Sequence, residues 1–138
     1  MKKVNFKMVL SVLAVAFTML FVGVNPASAQ QGLDQGITAP AQGNFVNSDE
    51  AGVILYDAVQ VLGNQMGSMT PGSPLYNATR RKALYYKGIY IEIQNGHTVS
   101  ESIGLGFQHL LNNLNDANGA TKSVLLQLRQ DAIAMLSN

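Results

Sequence analysis

From residue 48 to the end of the chain, apolar side chains return every three or four positions, and short runs rich in Gly, Pro, Asn and Ser interrupt the pattern. The first stripe is Ala51, Ile54, Leu55, Ala58, Val61 and Leu62, with Asp49, Glu50, Asp57 and Gln60 opposite. Asn47 or Ser48 caps this helix, Asp49 and Glu50 sit at the positive end of its dipole, and Gly63 is expected to end it. Residues 63–73 then read as a loop in which Pro71-Gly72 suits the centre of a type II turn.

Ser73 and Pro74 open a second helix, because Ser caps and Pro at the first helical position loses no hydrogen bond. Its broad apolar face holds Leu75, Ala78, Thr79, Ala83, Tyr86, Ile89, Tyr90 and Ile93, and Asn95-Gly96 stops it. The β-branched and aromatic alternation over residues 88–93 leaves a strand as the alternative there. Thr98 and Glu101 have capping-box spacing ahead of a third stripe, Val99, Ile103, Phe107, Leu110, Leu111 and Leu114. Gly104 and Gly106 lie inside that helix, where each costs about 1 kcal/mol relative to Ala, so a close contact or a kink is expected around them. After a turn at Asp116-Ala117-Asn118-Gly119, the residues Thr121, Val124, Leu125, Leu128, Ala132, Met135 and Leu136 mark a fourth helix. Two short connections and one longer one between four amphipathic helices predict an all-α fold, a small antiparallel four-helix bundle over residues 48–138.

The start of the chain has a different character. Lys2, Lys3 and Lys7 precede an almost unbroken apolar run over residues 8–24, and Asn25-Pro26 then leads to Ala27-Ser28-Ala29. This is the pattern of a signal peptide, so residues 1–29 are expected to be cleaved after Ala29, leaving a secreted or periplasmic protein that begins at Gln30. The alternative is a retained anchor, for which the run is short against the roughly 20 residues of a spanning helix. Residues 30–47 carry scattered apolar side chains among Gly and Pro and read as a flexible lead, with Phe45 and Val46 docking beside the first helix.

Composition narrows the chemistry. Of 138 residues 47% are apolar and none is Cys, which excludes disulfides, a thiolate nucleophile and Cys-based metal sites. The nine basic residues include the three leader lysines, so the part after residue 29 has six against eight acidic residues, a formal charge of −2 instead of the whole chain's +1. That balance excludes a strongly basic nucleic-acid binder. No cofactor motif is present: Gly104 and Gly106 lack a third Gly, since His109 stands there. Gly104-Leu105-Gly106-Phe107 spells the carboxylate-binding loop of PDZ domains, but a helical pattern runs through it and only 31 residues follow. His97 and His109 show no metal-ligand spacing, and both read as solvated, His97 in a turn and His109 on the polar face near Asn112 and Asn113.

Two features bear on binding. Arg80, Arg81, Lys82 and Lys87 interleave with Tyr76, Tyr85, Tyr86 and Tyr90 as a candidate anion contact, although the helical wheel spreads the four charges over different directions. Leu84 and Ile91, and likewise Leu126 and Ile133, are seven apart and displaced from the inward stripes of their helices. Either such a helix is central and covered on two sides, or the displaced pairs form a seam with a protein partner or a second copy. The expected function is a non-catalytic binding or self-associating module, with Leu84, Ile91, Leu126 and Ile133 as candidate contacts. The alternatives are a ligand carrier or enzyme with a pocket near His109, and an anionic-surface binder without stable membrane insertion.

Overall fold

The computed structural model describes residues 35–113 and 120–138. The expected leader at 1–29, the first residues of the lead, Leu114 and the turn at 116–119 lie outside the described residues. Among those described the fold is all-α, with α1 (Gln35–Thr38), α2 (Ser48–Met66), α3 (Pro74–Gln94), α4 (Val99–Asn112) and α5 (Lys122–Leu136). Among the described residues an isolated antiparallel bridge joins Phe45 and Ser137.

The starts of α2, α3, α4 and α5 follow the sequence closely because each has a side chain that satisfies a free backbone N–H. Asn47 Oδ1 accepts from Glu50 N, Ser73 Oγ from Tyr76 N, and Thr121 Oγ1 from Val124 N. At α4 both halves of the capping box form: Thr98 Oγ1 accepts from Glu101 N at 3.1 Å, and Glu101 Oε1 accepts from Thr98 N at 3.0 Å. Hydrogen bonding to the Thr98 backbone and side chain holds the Glu101 carboxyl below its usual range.

Helix α2 departs from expectation by running through Gly63 to Met66. The glycines that take positive φ are Gly43, Gly72 and Gly96, so Gly63 does not adopt the left-handed conformation that would stop the helix. Gly72, with φ +83°, sits in the turn that Ser73 N closes on Thr70 O, as the Pro-Gly pair predicts. Residues 88–93 are helical, and the strand alternative does not occur.

α3 forms the largest interfaces, with α4 and with α2. Helix α3 is therefore flanked on two sides, and its buried residues Thr79, Tyr85, Tyr86, Gly88, Ile89, Ile91 and Ile93 span most of its circumference. Tyr85, absent from the expected stripe, is fully buried, stacks on Phe107 at 4.1 Å and donates to the Ile103 carbonyl at 2.7 Å. Leu75 and Ala78, expected inside, are exposed, and Leu75 keeps 63% of its surface.

The interior glycines of α4 mark close approaches. A Cβ at Gly106 would lie 2.7 Å from Ile89 Cγ1, and one at Gly104 would lie 2.2 Å from the Thr38 oxygen and 2.6 Å from the Ala39 oxygen. Gly104 thus admits the lead, which over residues 35–47 is packed and not loose. Ile37 is fully buried, Ala41 and Val46 nearly so, and Phe45 packs partly against the core.

Candidate functional site

Three regions hold the side chains singled out by the sequence. The first lies where α3 meets α4. Gly88 and Gly106 let the two backbones approach until a Cβ at position 88 would stand 2.6 Å from the Gly106 oxygen and 2.7 Å from His109 Cβ. This proximity buries His109, which is only 5% exposed, and corrects its assignment to a solvated face. Its Nε2 lies 2.7 Å from Glu92 Oε1, and Asn113 Nδ2 donates to its carbonyl. The other Glu92 oxygen is 3.3 Å from His97 Nε2, and that imidazole remains 43% exposed, in keeping with a solvated turn residue.

Glu92 therefore ties the α3–α4 connection and the α4 helix to one carboxylate. The 2.7 Å contact is a direct hydrogen bond with no space for an ion between its partners. Among the described residues no three His, Asp or Glu side chains are grouped to hold a metal. The tyrosines around α3 are equally engaged: burial pushes the Tyr85 phenol far above its usual range, with Arg129 opposing the shift and Tyr86 adding to it. Tyr86 and Tyr90 are pushed up to about 12, again mainly by burial. These phenols stay protonated at neutral pH and the Tyr85 hydroxyl is spent on Ile103.

The second region is the basic cluster, whose members turn toward different elements. Arg80 Nη2 donates to the Asn113 carbonyl at 3.2 Å, at the end of α4. Lys82 Nζ lies 3.7 Å from Asp131 Oδ2 on α5, with both side chains more than a third exposed, a pair worth about 0–1 kcal/mol. Lys87 is exposed and Arg81 half-buried.

The third region holds the displaced apolar pairs. Ile91 is buried, at 6% exposure, and Leu84 and Ile133 are half-buried against the core. The flanking of α3 by both α2 and α4 accounts for the pair on that helix. Leu126 differs, being 40% exposed on an open depression of α5 shared with Lys122, Ser123, Gln127 and Gln130. Val53, Val61 and Leu75 are further exposed apolar side chains, on α2 and α3, that the sequence reading placed inside or passed over.

One polar side chain that ties distant elements together was not anticipated. Arg129 Nη1 donates to the carbonyls of Ile37 and Ala39, each at 2.8 Å, and Nη2 reaches Pro40 at 3.4 Å. One guanidinium fork thus collects the carbonyls at the end of α1, where the helix dipole favours a cation. The signal was present: Leu125, Arg129, Ala132 and Leu136 share one helical stripe, and a charge within a buried stripe requires acceptors brought to it. Ser100 adds two bonds to the lead, accepting from Ala41 N at 3.0 Å and donating its hydroxyl to Ala41 O.

Comparison with family models, curated proteins and solved structures found no match. Among the described residues no helix is long and apolar enough to cross a membrane.

Proposed function

We propose that this chain is an exported antiparallel four-helix bundle, released by cleavage after Ala29, that acts as a non-catalytic module by binding protein, with a second copy of itself as the partner. The observation that carries this reading is Leu126, a large apolar side chain 40% exposed in a depression on the outer face of α5. Around it, Ser123, Gln127 and Gln130 offer uncharged hydrogen-bonding groups, with Lys122 at the edge. Burying such a leucine contributes about 1.5–3 kcal/mol at most, and a neutral amide-rich surround adds little repulsion between copies. The low charge of the part after residue 29, 14 charged residues among 109, also favours association.

Sedimentation velocity of the purified protein over a wide concentration range tests the reading. The wild type is expected to shift from monomer toward dimer as concentration rises, and Leu126→Gln to weaken that shift. A monomer at every concentration would defeat self-association.

A further inference from the structure

The turn between α3 and α4 contains the pair Asn95-Gly96, and helix termination uses both residues. Asn95 is the C-cap of α3, with φ −78° and ψ −2°, and Gly96 takes φ +101°, which a side chain would strain. The same glycine leaves its own backbone nitrogen unhindered next to the Asn95 side-chain amide. That is the setting in which a backbone nitrogen attacks the preceding side chain. The Gly96 N–H gives its proton to solvent base, the nitrogen bonds to Asn95 Cγ, and the Cγ–Nδ2 bond breaks with release of ammonia. Water then opens the cyclic imide at either carbonyl, leaving an aspartate or an isoaspartate, the second with a main chain lengthened by a methylene.

The folded turn withholds each part of this step. At ψ −2° the Gly96 nitrogen nearly eclipses the Asn95 nitrogen, so it lies about a third of a turn from the Cβ arm that carries Cγ. Its N–H donates to the Ile93 carbonyl at 3.0 Å. Turning ψ would carry His97 along, yet His97 N donates to Glu92 O at 3.1 Å and its Nε2 lies 3.3 Å from Glu92 Oε2. The other Glu92 oxygen is engaged by His109 at 2.7 Å, and Thr98 is fixed by the capping box. Asn95 and Gly96 are themselves exposed, so water and base reach them. Conformation protects the pair, and burial does not.

We infer that Asn95 is a deamidation site that the folded turn keeps shut, with Glu92 as the positioning residue that guards it. Either product would place a new carboxylate at the C-terminal end of α3, where the helix dipole favours a cation, beside Glu92.

The purified protein is incubated in mildly alkaline buffer with and without denaturing urea. Conversion is followed by peptide mass spectrometry with fragmentation that separates aspartate from isoaspartate. In urea Asn95 is expected to convert at a rate close to that of Asn118, which belongs to the other Asn-Gly pair of the sequence. In native buffer Asn95 should slow by about tenfold or more, the factor for holding a single hydrogen bond closed. Glu92→Ala, and His97→Ala as the milder change at a partly exposed side chain, should each recover several-fold of that loss while circular dichroism stays helical. Leu125→Val, which weakens core packing through α5 and none of these bonds, should leave Asn95 as slow as in the wild type. Equal Asn95 rates in native buffer and in urea would overturn the guard. An Asn95 that stays intact in urea while Asn118 converts would overturn the site. Helical Glu92→Ala and His97→Ala proteins that both keep the wild-type rate would overturn the role of Glu92.

Discussion

Adding one methyl group at two glycines should move stability in opposite directions. Gly63 lies inside α2, exposed, and a Cβ there would meet no atom within 4 Å. Gly63→Ala removes the entropic penalty of a helical glycine and is expected to stabilise by about 1 kcal/mol. Gly88 receives the same intrinsic gain, but its Cβ would stand 2.6 Å from the Gly106 oxygen and 2.7 Å from His109 Cβ, with His109 Cγ at 3.1 Å. Ordinary carbon contacts lie at about 3.5–4.0 Å, so α3 and α4 must separate by most of an ångström. The obstructing atoms include backbone, which no rotamer change can move aside. Overpacking of this kind costs about 1–3 kcal/mol, and with the backbone obstruction placing it at the upper end, the net effect of Gly88→Ala is a loss of about 2 kcal/mol. For a domain of this size each kcal/mol corresponds to roughly 4–8 °C in Tm. Urea denaturation followed by circular dichroism at 222 nm, paired with thermal scans, reads both variants against the wild type. A Gly88→Ala protein as stable as Gly63→Ala would refute the close-approach argument and, with it, the explanation for the burial of His109.

Three further outcomes are expected. Arg129→Met should loosen the lead, with a cost of about 1.5–3 kcal/mol for the lost charge-assisted bonds. Hydrogen exchange is the check: the Ala41 and Val46 amides lose protection while those of α3 keep theirs. Ser102 is fully buried and its hydroxyl has no hydrogen-bond partner among the described residues, so Ser102→Ala should raise stability by about 1 kcal/mol, and a fall in the urea midpoint would contradict this. Tyr85, Tyr86 and Tyr90 have raised pKa values because burial disfavours the phenolate, so their contribution is complete below the unfolded value of 10.0 and is lost as pH climbs toward about 12 for Tyr86 and Tyr90. Ultraviolet titration should show these three ionising late, with Tyr85 following only as the protein unfolds, and early ionisation of all five tyrosines would rule the burial out.

Local signals proved the most readable. Ser73-Pro74, Thr98 with Glu101, and Gly96 announce helix ends because capping depends on a few neighbouring residues, and all three act in the structure as the sequence implies. Of the expected inward stripe of α5, Leu125, Leu128, Ala132 and Leu136 are buried, Val124 and Met135 are half-buried, and Thr121 is exposed as the cap. What the pattern hid were effects of one element on another. His109 is polar and lies off the main stripe, so nothing within α4 reveals that two glycines draw α3 over it. The lead has no period of its own, because main-chain groups and scattered apolar anchors hold it, and its partner Arg129 sits nearly ninety residues away. Leu84 and Ile91 stand off the inward stripe of their helix in the sequence, yet only the position of α3 between α2 and α4 distinguishes a second buried side from a solvent-facing seam.

The pairing of Phe45 with Ser137 has a mechanical meaning. Asn138 N bonds Asn44 O and Val46 N bonds Leu136 O, so the final residues run antiparallel to the lead with Asn44 and Asn138 at the same open end. A load drawn outward from the last residue would meet these bonds in succession, Asn138 first and Leu136 second, and would peel them singly instead of shearing them together. Anything tethered to the C-terminus would therefore load the pairing at Phe45 and Ser137 before it strained a helix, while Arg129 and Ser100 keep their separate hold on the lead.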